Sequence, residues 1–229
     1  MSASRRSLEL EGVILGHRDF SDSHRIVDVL TGSEGRLSLL ARGGRASKKR
    51  FAGALDLFTT LRLQVSAGGN LWALSSADIL NARMGIRADL DRLARASLLV
   101  ELARTLAPEH QAAPNLLAVL SDALDRVDRG ELASAAAGFP ALLSAGGVLP
   151  DVTLCVQCGA RDREGQVLDI GFVCEGCRPF RQIMKREVRA AWAGAPCNDT
   201  EVASAVEDSV LDYAEATLGA RFKSRHLKL

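Results

Sequence analysis

The spacing of the cysteines restricts the fold of this chain more than any other feature of its sequence. Cys155 and Cys158 form one CxxC pair, and Cys174 and Cys177 form a second pair fifteen residues further on. This spacing is typical of zinc sites. Four thiolates fill a tetrahedral shell, so the pattern predicts one structural zinc with no position left for a substrate.

Two reduced, buried pairs or a redox dithiol are the alternatives, and the spacing favours zinc over both. Cys197, the fifth cysteine, is expected to be an unliganded thiol. Residues 1–10 lack the apolar run of a secretory signal, and no segment approaches the length of a membrane span. We therefore expect a cytoplasmic protein without a membrane partner, in which clustered cysteines indicate metal before disulfides.

The first third of the chain has the pattern of a small all-β unit. Leu61, Leu63 and Val65 alternate with polar residues, as in a half-buried strand. Five strand-like runs follow one another without a helical pattern between them: 8–16, 25–32, 35–42, 59–67 and 70–78. A small barrel explains this arrangement, and the periodicity suits an OB-fold and an SH3-like barrel alike.

From residue 81 onward, apolar residues recur at helical spacing. The predicted helices are a leucine-striped segment from Leu90 to Leu106, then Asn115–Val127, Glu131–Ala145 and Asp199–Leu218. Pro140 predicts a kink or a break in the third helix, and Asp199 or Thr200 is the expected cap of the fourth. Residues 165–174, between the cysteine pairs, have the pattern of a short hairpin.

A basic segment, residues 41–51, lies between the third and fourth strand-like runs, and Arg36 lies on the adjoining strand. The chain from Arg36 to Arg50 contains no acidic residue and six basic ones: Arg36, Arg42, Arg45, Lys48, Lys49 and Arg50. The formal net charge is only +1, so affinity for nucleic acid has to come from such local patches. The segment is therefore a candidate phosphate-binding loop, with a solvated loop as the alternative.

Two further basic clusters are secondary candidates for phosphate binding. They comprise Arg178, Arg181, Lys185, Arg186 and Arg189 after the cysteines, and Arg221, Lys223 and Arg225 near the end of the chain. Among the sparse aromatic residues, Phe51 adjoins the basic segment, whereas Phe20, Phe58 and Trp72 are expected in the barrel core. No catalytic motif is recognisable, so we expect no enzymatic activity.

The order of these parts resembles the RecO family of bacterial recombinational-repair proteins. The likeness begins at EGVILGHRDFSDSHRIVDVLTGSEGRLSLLARGGRASKKRF and continues through LDLFTTLRLQV. It resumes at FPALLSAGGVLPDVTLCVQCGA and ends at LGARFKSRHLKL. The order and spacing of these stretches, rather than any single motif, carry the resemblance.

The resemblance implies an α+β protein, in which a five-stranded OB-fold barrel precedes a helical domain that carries a zinc ribbon. It implies a DNA-binding barrel over 1–80, a helical domain over 81–150, a four-cysteine ribbon over 151–180 and completing helices over 181–229. It also implies a nucleoid-associated, non-enzymatic protein that binds single- and double-stranded DNA and anneals complementary strands. With RecR, such proteins help RecA load onto DNA coated by single-strand-binding protein, and RecF is a further candidate partner.

Two other classes of protein fit the residues alone. One is an RNA-binding or ribosome-associated module that uses the same barrel and zinc ribbon. The other is a protein adaptor whose basic segment meets acidic partners. Binding to DNA and to RNA, compared at two salt concentrations, distinguishes these three classes.

Overall fold

The computed structural model describes residues 7–44, 51, 53–66, 71–161 and 163–227. The chain divides into two compact units. The first runs up to Met84 and includes Ala107–Ser121, and the second combines Gly85–Leu106 with the chain from Asp122 onward. The boundaries of the four domains expected from the sequence remain predictions.

The first unit is built around a closed five-stranded barrel. Its strands are β1 (Ser7–Asp19), β2 (Arg25–Thr31), β3 (Gly35–Ala41), β4 (Thr60–Ser66) and β5 (Trp72–Asn81). They neighbour one another in the order β1-β2-β3-β5-β4, and the pairing of β1 with β4 closes the barrel. β3 and β5 run parallel, while the other neighbouring strands are antiparallel. The predicted OB-fold barrel is thereby confirmed.

Alternating apolar side chains fill this barrel. In β4, Leu61, Leu63 and Val65 are fully buried, whereas the residues between them are exposed or half-buried. Each such burial contributes about 1.5–3 kcal/mol relative to an exposed side chain. Gly12 lets β1 approach β2 closely, because a Cβ at this position would lie 2.6 Å from the carbonyl oxygen of Leu30.

Six α-helices lie within the described residues. They are α1 (Leu90–Leu106), α2 (Pro114–Arg129), α3 (Leu132–Ala135), α4 (Gly138–Ala145), α5 (Arg186–Trp192) and α6 (Thr200–Leu218). The predicted third helix is divided into α3 and α4. Pro140 lies in the first turn of α4, where a missing N–H leaves no helical hydrogen bond unmade. The short helix α5 was not predicted from the sequence.

Helix α6 begins and ends as the sequence predicted. The side chain of Asp199 accepts a hydrogen bond from the backbone N–H of Val202 at 2.9 Å, which caps the helix. Gly219 ends it in the left-handed conformation, with φ of 63°. Its buried face carries Glu207, which forms an ion pair with Arg95 of α1 inside the second unit. None of the helices in the described ranges is long and apolar enough to cross a bilayer.

The predicted hairpin between the cysteine pairs is also present. Its strands are β6 (Gly165–Leu168) and β7 (Gly171–Cys174), which pair antiparallel. Phe172 of β7 is fully buried, and a backbone bridge joins Gly165 to Met184 on the other side of β6. The α+β class, with a barrel followed by a helical region and a four-cysteine hairpin, agrees with the prediction.

Candidate metal centre and nucleic-acid interface

Two local turns bring the four cysteines of the second unit together. In the first turn, the N–H of Gly159 donates to the carbonyl oxygen of Cys155 at 2.8 Å, and Gly159 has a φ of +72°. In the second, the N–H of Cys177 donates to the carbonyl oxygen of Cys174 at 3.0 Å. β7 ends at Cys174, so the hairpin carries the second pair back to the first.

The geometry of the sulfurs fits a tetrahedral metal site. The four Sγ atoms lie within 4.8 Å of one another. Cys155 Sγ lies 3.9 Å from Cys177 Sγ, and Cys158 Sγ lies 3.6 Å from Cys174 Sγ. Zinc with Zn–S bonds of about 2.3 Å requires sulfur–sulfur distances of about 3.8 Å in a tetrahedron. These four residues therefore fit a zinc ion, as the sequence predicted.

The electrostatics of the cluster also suit a cation. The N–H of Cys174 donates to Cys155 Sγ at 3.3 Å, and this and further backbone N–H donors lower the pKa of Cys155 to about 6. The thiol of Cys177 keeps its proton in hydrogen bonds to the neighbouring sulfurs of Cys158 and Cys174, which raises the pKa of Cys177 to about 12. A divalent cation relieves this crowding of negative charge, because metal ligation requires thiolates.

The fifth cysteine lies outside this cluster. Cys197 is buried, and its Sγ lies 3.7 Å from the carbonyl oxygen of Asp199. Burial raises the pKa of its thiol, so it remains protonated and inert. Within the described residues, the side chains placed to hold a metal ion together are those of the four clustered cysteines, and Cys197 is not among them.

Arg189 ties helix α5 to the cysteine hairpin. Its guanidinium donates to the carbonyl oxygens of Val152, Arg163 and Thr153 at 2.6, 2.8 and 2.9 Å. The same group lies 3.7 Å from the centre of the Phe172 ring. Such a cation–aromatic contact adds to the hydrogen bonds. Sequence reasoning identified Arg189 only as a basic candidate, because its carbonyl acceptors lie 26 or more residues before it in the chain.

The basic segment of the first unit leaves the barrel at the end of β3. Arg42 is exposed and begins a turn in which the N–H of Gly44 donates to the carbonyl oxygen of Ala41 at 3.1 Å. Gly43 has a φ of +73°, and the space that a Cβ would occupy there is open. The chain is again described at Phe51, which is buried in the barrel core. Four predicted phosphate-binding residues lie outside the described residues: Arg45, Lys48, Lys49 and Arg50.

Arg36 already has an acidic partner. Its Nη2 atom lies 2.7 Å from Glu109 Oε1, and its side chain is 25% exposed. The backbone supports this pair, because the N–H of Arg36 donates to the carbonyl oxygen of Pro108 at 2.9 Å. A phosphate at Arg36 would therefore have to compete with Glu109.

The secondary basic candidates of the second unit differ in their partners. Lys185 pairs with Glu201 at 2.5 Å, and Arg225 pairs with Asp212 and Glu215 at 2.8 and 3.1 Å. Arg178 lies 5.9 Å from the ring centre of Phe180. The remaining candidates are exposed and have no ion pair within the described part of the chain: Arg181, Arg186, Arg221 and Lys223.

Two aromatic residues lie where the sequence did not predict them. Phe20 was expected in the core, yet it is 58% exposed in the turn between β1 and β2. Phe51, expected beside the basic segment, is 4% exposed and belongs to the core. The expectation for Phe20 was wrong, and the ring of Phe51 is buried although the residue adjoins the basic segment in sequence, because neighbourhood in sequence does not determine which side of a barrel wall a side chain occupies. Phe58 and Trp72 are buried as predicted.

Comparison with known proteins adds the family. The family model "Recombination protein O N terminal" matches residues 5–83, and "Recombination protein O C terminal" matches residues 87–226. The DNA repair protein RecO of Anaeromyxobacter sp. (strain K) is 38% identical over 180 residues, which cover 75% of this chain and 71% of the relative. The RecO of Anaeromyxobacter sp. (strain Fw109-5) is 37% identical over 210 residues, covering 87% and 77%.

A relative from another genus gives the same result. The RecO of Myxococcus xanthus is 36% identical over 173 residues, which cover 73% of this chain and 71% of the relative. The two family models together span the barrel, the helices and the cysteine hairpin. The chain belongs to the RecO family of DNA repair proteins.

Proposed function

We propose that the protein binds single- and double-stranded DNA, anneals complementary strands and, with RecR, helps RecA load onto DNA coated by single-strand-binding protein. The main structural support for the proposed DNA binding is the turn at Arg42 and Gly43. There an exposed cation and an open glycine begin an acid-free basic segment at the end of an OB-fold barrel. Family membership supports the repair context.

The binding step is electrostatic. Arg42, together with Arg45, Lys48, Lys49 and Arg50, meets phosphates and releases their counterions, which gives affinity without base preference. Strands that anneal must approach each other against the repulsion of their phosphates. Neutralisation of part of that charge by the basic segment lowers the repulsion, so the same residues serve binding and annealing.

The other basic residues have a graded role in this proposal. Arg36 contributes less than the segment itself, because Glu109 already balances its charge. Four of the secondary candidates are exposed and have no ion pair within the described residues, and these are the secondary phosphate contacts: Arg181, Arg186, Arg221 and Lys223. Lys185, Arg189 and Arg225 contribute little to DNA affinity. The charged groups of Lys185 and Arg225 already pair with carboxylates, and the guanidinium of Arg189 already donates to carbonyl oxygens.

The metal centre has a structural role in this proposal. Cys155, Cys158, Cys174 and Cys177 hold one zinc ion, which cross-links the two turns and the hairpin. The four sulfurs leave no ligand position for a substrate, and the protein acts by binding rather than by catalysis. Single-strand-binding protein, RecR, RecF and RecA are the proposed partners, and binding to DNA places the protein at the nucleoid.

The test compares labelled single-stranded DNA, duplex DNA and RNA of equal length at two salt concentrations, with strand annealing measured in parallel. We expect binding to both DNA forms that weakens with salt, and annealing faster than the spontaneous rate. Tighter binding to RNA would instead indicate an RNA-binding module. Absence of nucleic-acid binding, with retained binding to an acidic peptide, would indicate an adaptor.

A further inference from the structure

Phe20 is the one aromatic side chain among the described residues that is mainly exposed. It is 58% exposed in the turn between β1 and β2, whereas Phe51, Phe58, Phe139 and Phe172 are at most 4% exposed. The ring is therefore accessible to a ligand, and accessible aromatic rings are groups on which unpaired bases stack.

The turn holds the backbone of Phe20 firmly. The N–H groups of Phe20 and Ser21 both donate to the carbonyl oxygen of His24, at 3.0 and 3.4 Å. The N–H of His24 in turn donates to Ser21 Oγ at 3.1 Å. At the base of the turn, Arg25 Nε donates to Asp19 Oδ1 at 3.2 Å. A ring on so fixed a backbone loses little conformational freedom when it binds a ligand.

The turn also contacts the start of the basic segment. The N–H of Gly43 donates to His24 Nδ1 at 3.2 Å. The strand register leads to the same arrangement, because Arg25 pairs with Asp19 on one side and with Ala41 on the other. The exposed ring of Phe20 and the exposed cation of Arg42 therefore belong to neighbouring turns of the barrel, joined through His24.

We propose that Phe20 stacks on an unpaired base of single-stranded nucleic acid, while Arg42 holds the adjacent phosphate. The inference rests on the proposed DNA-binding function of the segment that Arg42 begins and adds a preference for single strands. Unpaired bases expose their faces to an aromatic ring, whereas the bases of a duplex are covered by their neighbours. The loop between the first two strands of an OB-fold is a recognised position for such contacts.

The charge of the turn favours a base over a phosphate at Phe20. Asp22 is exposed two residues further along the same turn. Its carboxylate repels phosphate oxygens, so the sugar–phosphate backbone lies closer to Arg42 than to Asp22. An aromatic ring beside an acid, with a cation on the neighbouring turn, matches a nucleotide whose base points toward Phe20.

The test measures anisotropy of a labelled oligo(dT) strand and of a labelled duplex with the full chain and four variants. These are Phe20→Ala, Phe20→Leu, Phe20→Trp and a matched control, Ile170→Ala. Ile170 is an apolar residue of similar exposure, 59%, in the turn between β6 and β7. Melting curves confirm that each variant folds, which we expect because both side chains are mainly exposed.

We expect Phe20→Ala and Phe20→Leu to weaken single-strand binding by about 5- to 150-fold, the range for removal of one base stack. Duplex affinity and the salt dependence of single-strand binding should stay unchanged, since every phosphate contact is retained. Phe20→Trp should retain affinity, and its added fluorescence should be quenched by the strand. Ile170→Ala should bind both forms as the unaltered chain does.

Each other outcome overturns the inference in a recognisable way. Equal losses for single strand and duplex would show that Phe20 does not read unpaired bases. Full binding by Phe20→Leu would show that an apolar contact suffices and that stacking is not involved. A fifth variant, Arg42→Glu, separates this inference from the proposed function. If Phe20→Ala binds normally while Arg42→Glu does not, the stacking contact is wrong and the proposed function stands. Normal binding by Arg42→Glu as well would contradict both.

Discussion

The backbone N–H of Gly43 donates a hydrogen bond to Nδ1 of His24, 3.2 Å away. This bond fixes the first residues of the basic segment against the turn between β1 and β2. The segment thus starts from a defined point on a rigid barrel, which lowers the ordering cost of binding a strand.

Loss of this acceptor should weaken DNA binding more than it weakens the fold. We expect His24→Ala to lower single-strand affinity by about 2- to 12-fold, the effect of one hydrogen bond. His24→Asn is the matched control, because its side-chain oxygen accepts a hydrogen bond at a similar distance from the backbone. Anisotropy titrations of the three proteins test this. Equal affinity of His24→Ala and the unaltered chain would show that the bond does not prepare the segment.

Arg189 should stabilise the second unit rather than bind DNA. Replacing it with Lys removes the forked geometry that reaches the carbonyl oxygens of Val152, Thr153 and Arg163. We expect Arg189→Lys to lower the free energy of unfolding by about 2–3 kcal/mol, as for hydrogen bonds to a charged group. The measurement is the urea unfolding midpoint of the second unit's signal. Arg186→Lys, which alters an exposed neighbour, is the control.

For DNA affinity we expect the reverse order: substitution of Arg186 should have an effect, and substitution of Arg189 should have none. Arg186→Ala should reduce DNA affinity slightly, because Arg186 is an exposed candidate for a phosphate contact. Arg189→Lys should leave the salt dependence of binding unchanged. A reduced salt slope for Arg189→Lys at full stability would mean that Arg189 meets phosphate.

Removal of zinc should unfold the cysteine hairpin. We expect one zinc per chain by elemental analysis, and Cys158→Ser should abolish it and lower the melting temperature. Cys197→Ser should retain the metal, because Cys197 lies outside the cluster. Zinc should also be released on acidification, since ligation requires thiolates and protons compete for them. Folded, metal-free protein would contradict the structural role.

Replacing only one partner of the ion pair between Arg95 and Glu207 should lower the free energy of unfolding more than replacing both partners. Glu207 is fully buried, and the side chain of Arg95 is 12% exposed. We expect Glu207→Gln to destabilise the second unit by about 3–5 kcal/mol, because it leaves a buried guanidinium without its counter-charge. Arg95→Met combined with Glu207→Leu should recover much of that loss. Chemical denaturation of the single and double variants tests this, and equal instability of both would show that packing, not charge, is decisive.

Local patterns made part of this structure predictable from the sequence. The alternation of Leu61, Leu63 and Val65 has a period that only a strand produces, and β4 follows it. The spacing of the cysteines is also local, so the cluster at Cys155 and Cys174 could be inferred without knowledge of the fold. Asp199 caps α6 as predicted, because a cap is determined by residues three positions apart.

Features that depend on distant segments were not predictable. The exposure of Phe20 and the burial of Phe51 are determined by how the barrel closes, which no sequence window contains. Helix α5 has only seven residues and lies within a basic cluster, so its apolar side is too short for a periodic pattern. For Arg189 the sequence likewise indicated only a candidate for phosphate binding, since its acceptors lie up to 37 residues away.

The most direct test of the central proposal is the salt dependence of single-strand binding after charge reversal in the basic segment. The variant is Lys48→Glu combined with Lys49→Glu, measured by fluorescence anisotropy across a salt series. Removal of each phosphate contact should reduce the slope of log K against log salt by about 0.7 for a single strand. The account predicts weaker binding to all sequences alike, a shallower slope, slower annealing and an unchanged melting temperature. Normal folding with unchanged affinity and unchanged slope would contradict it.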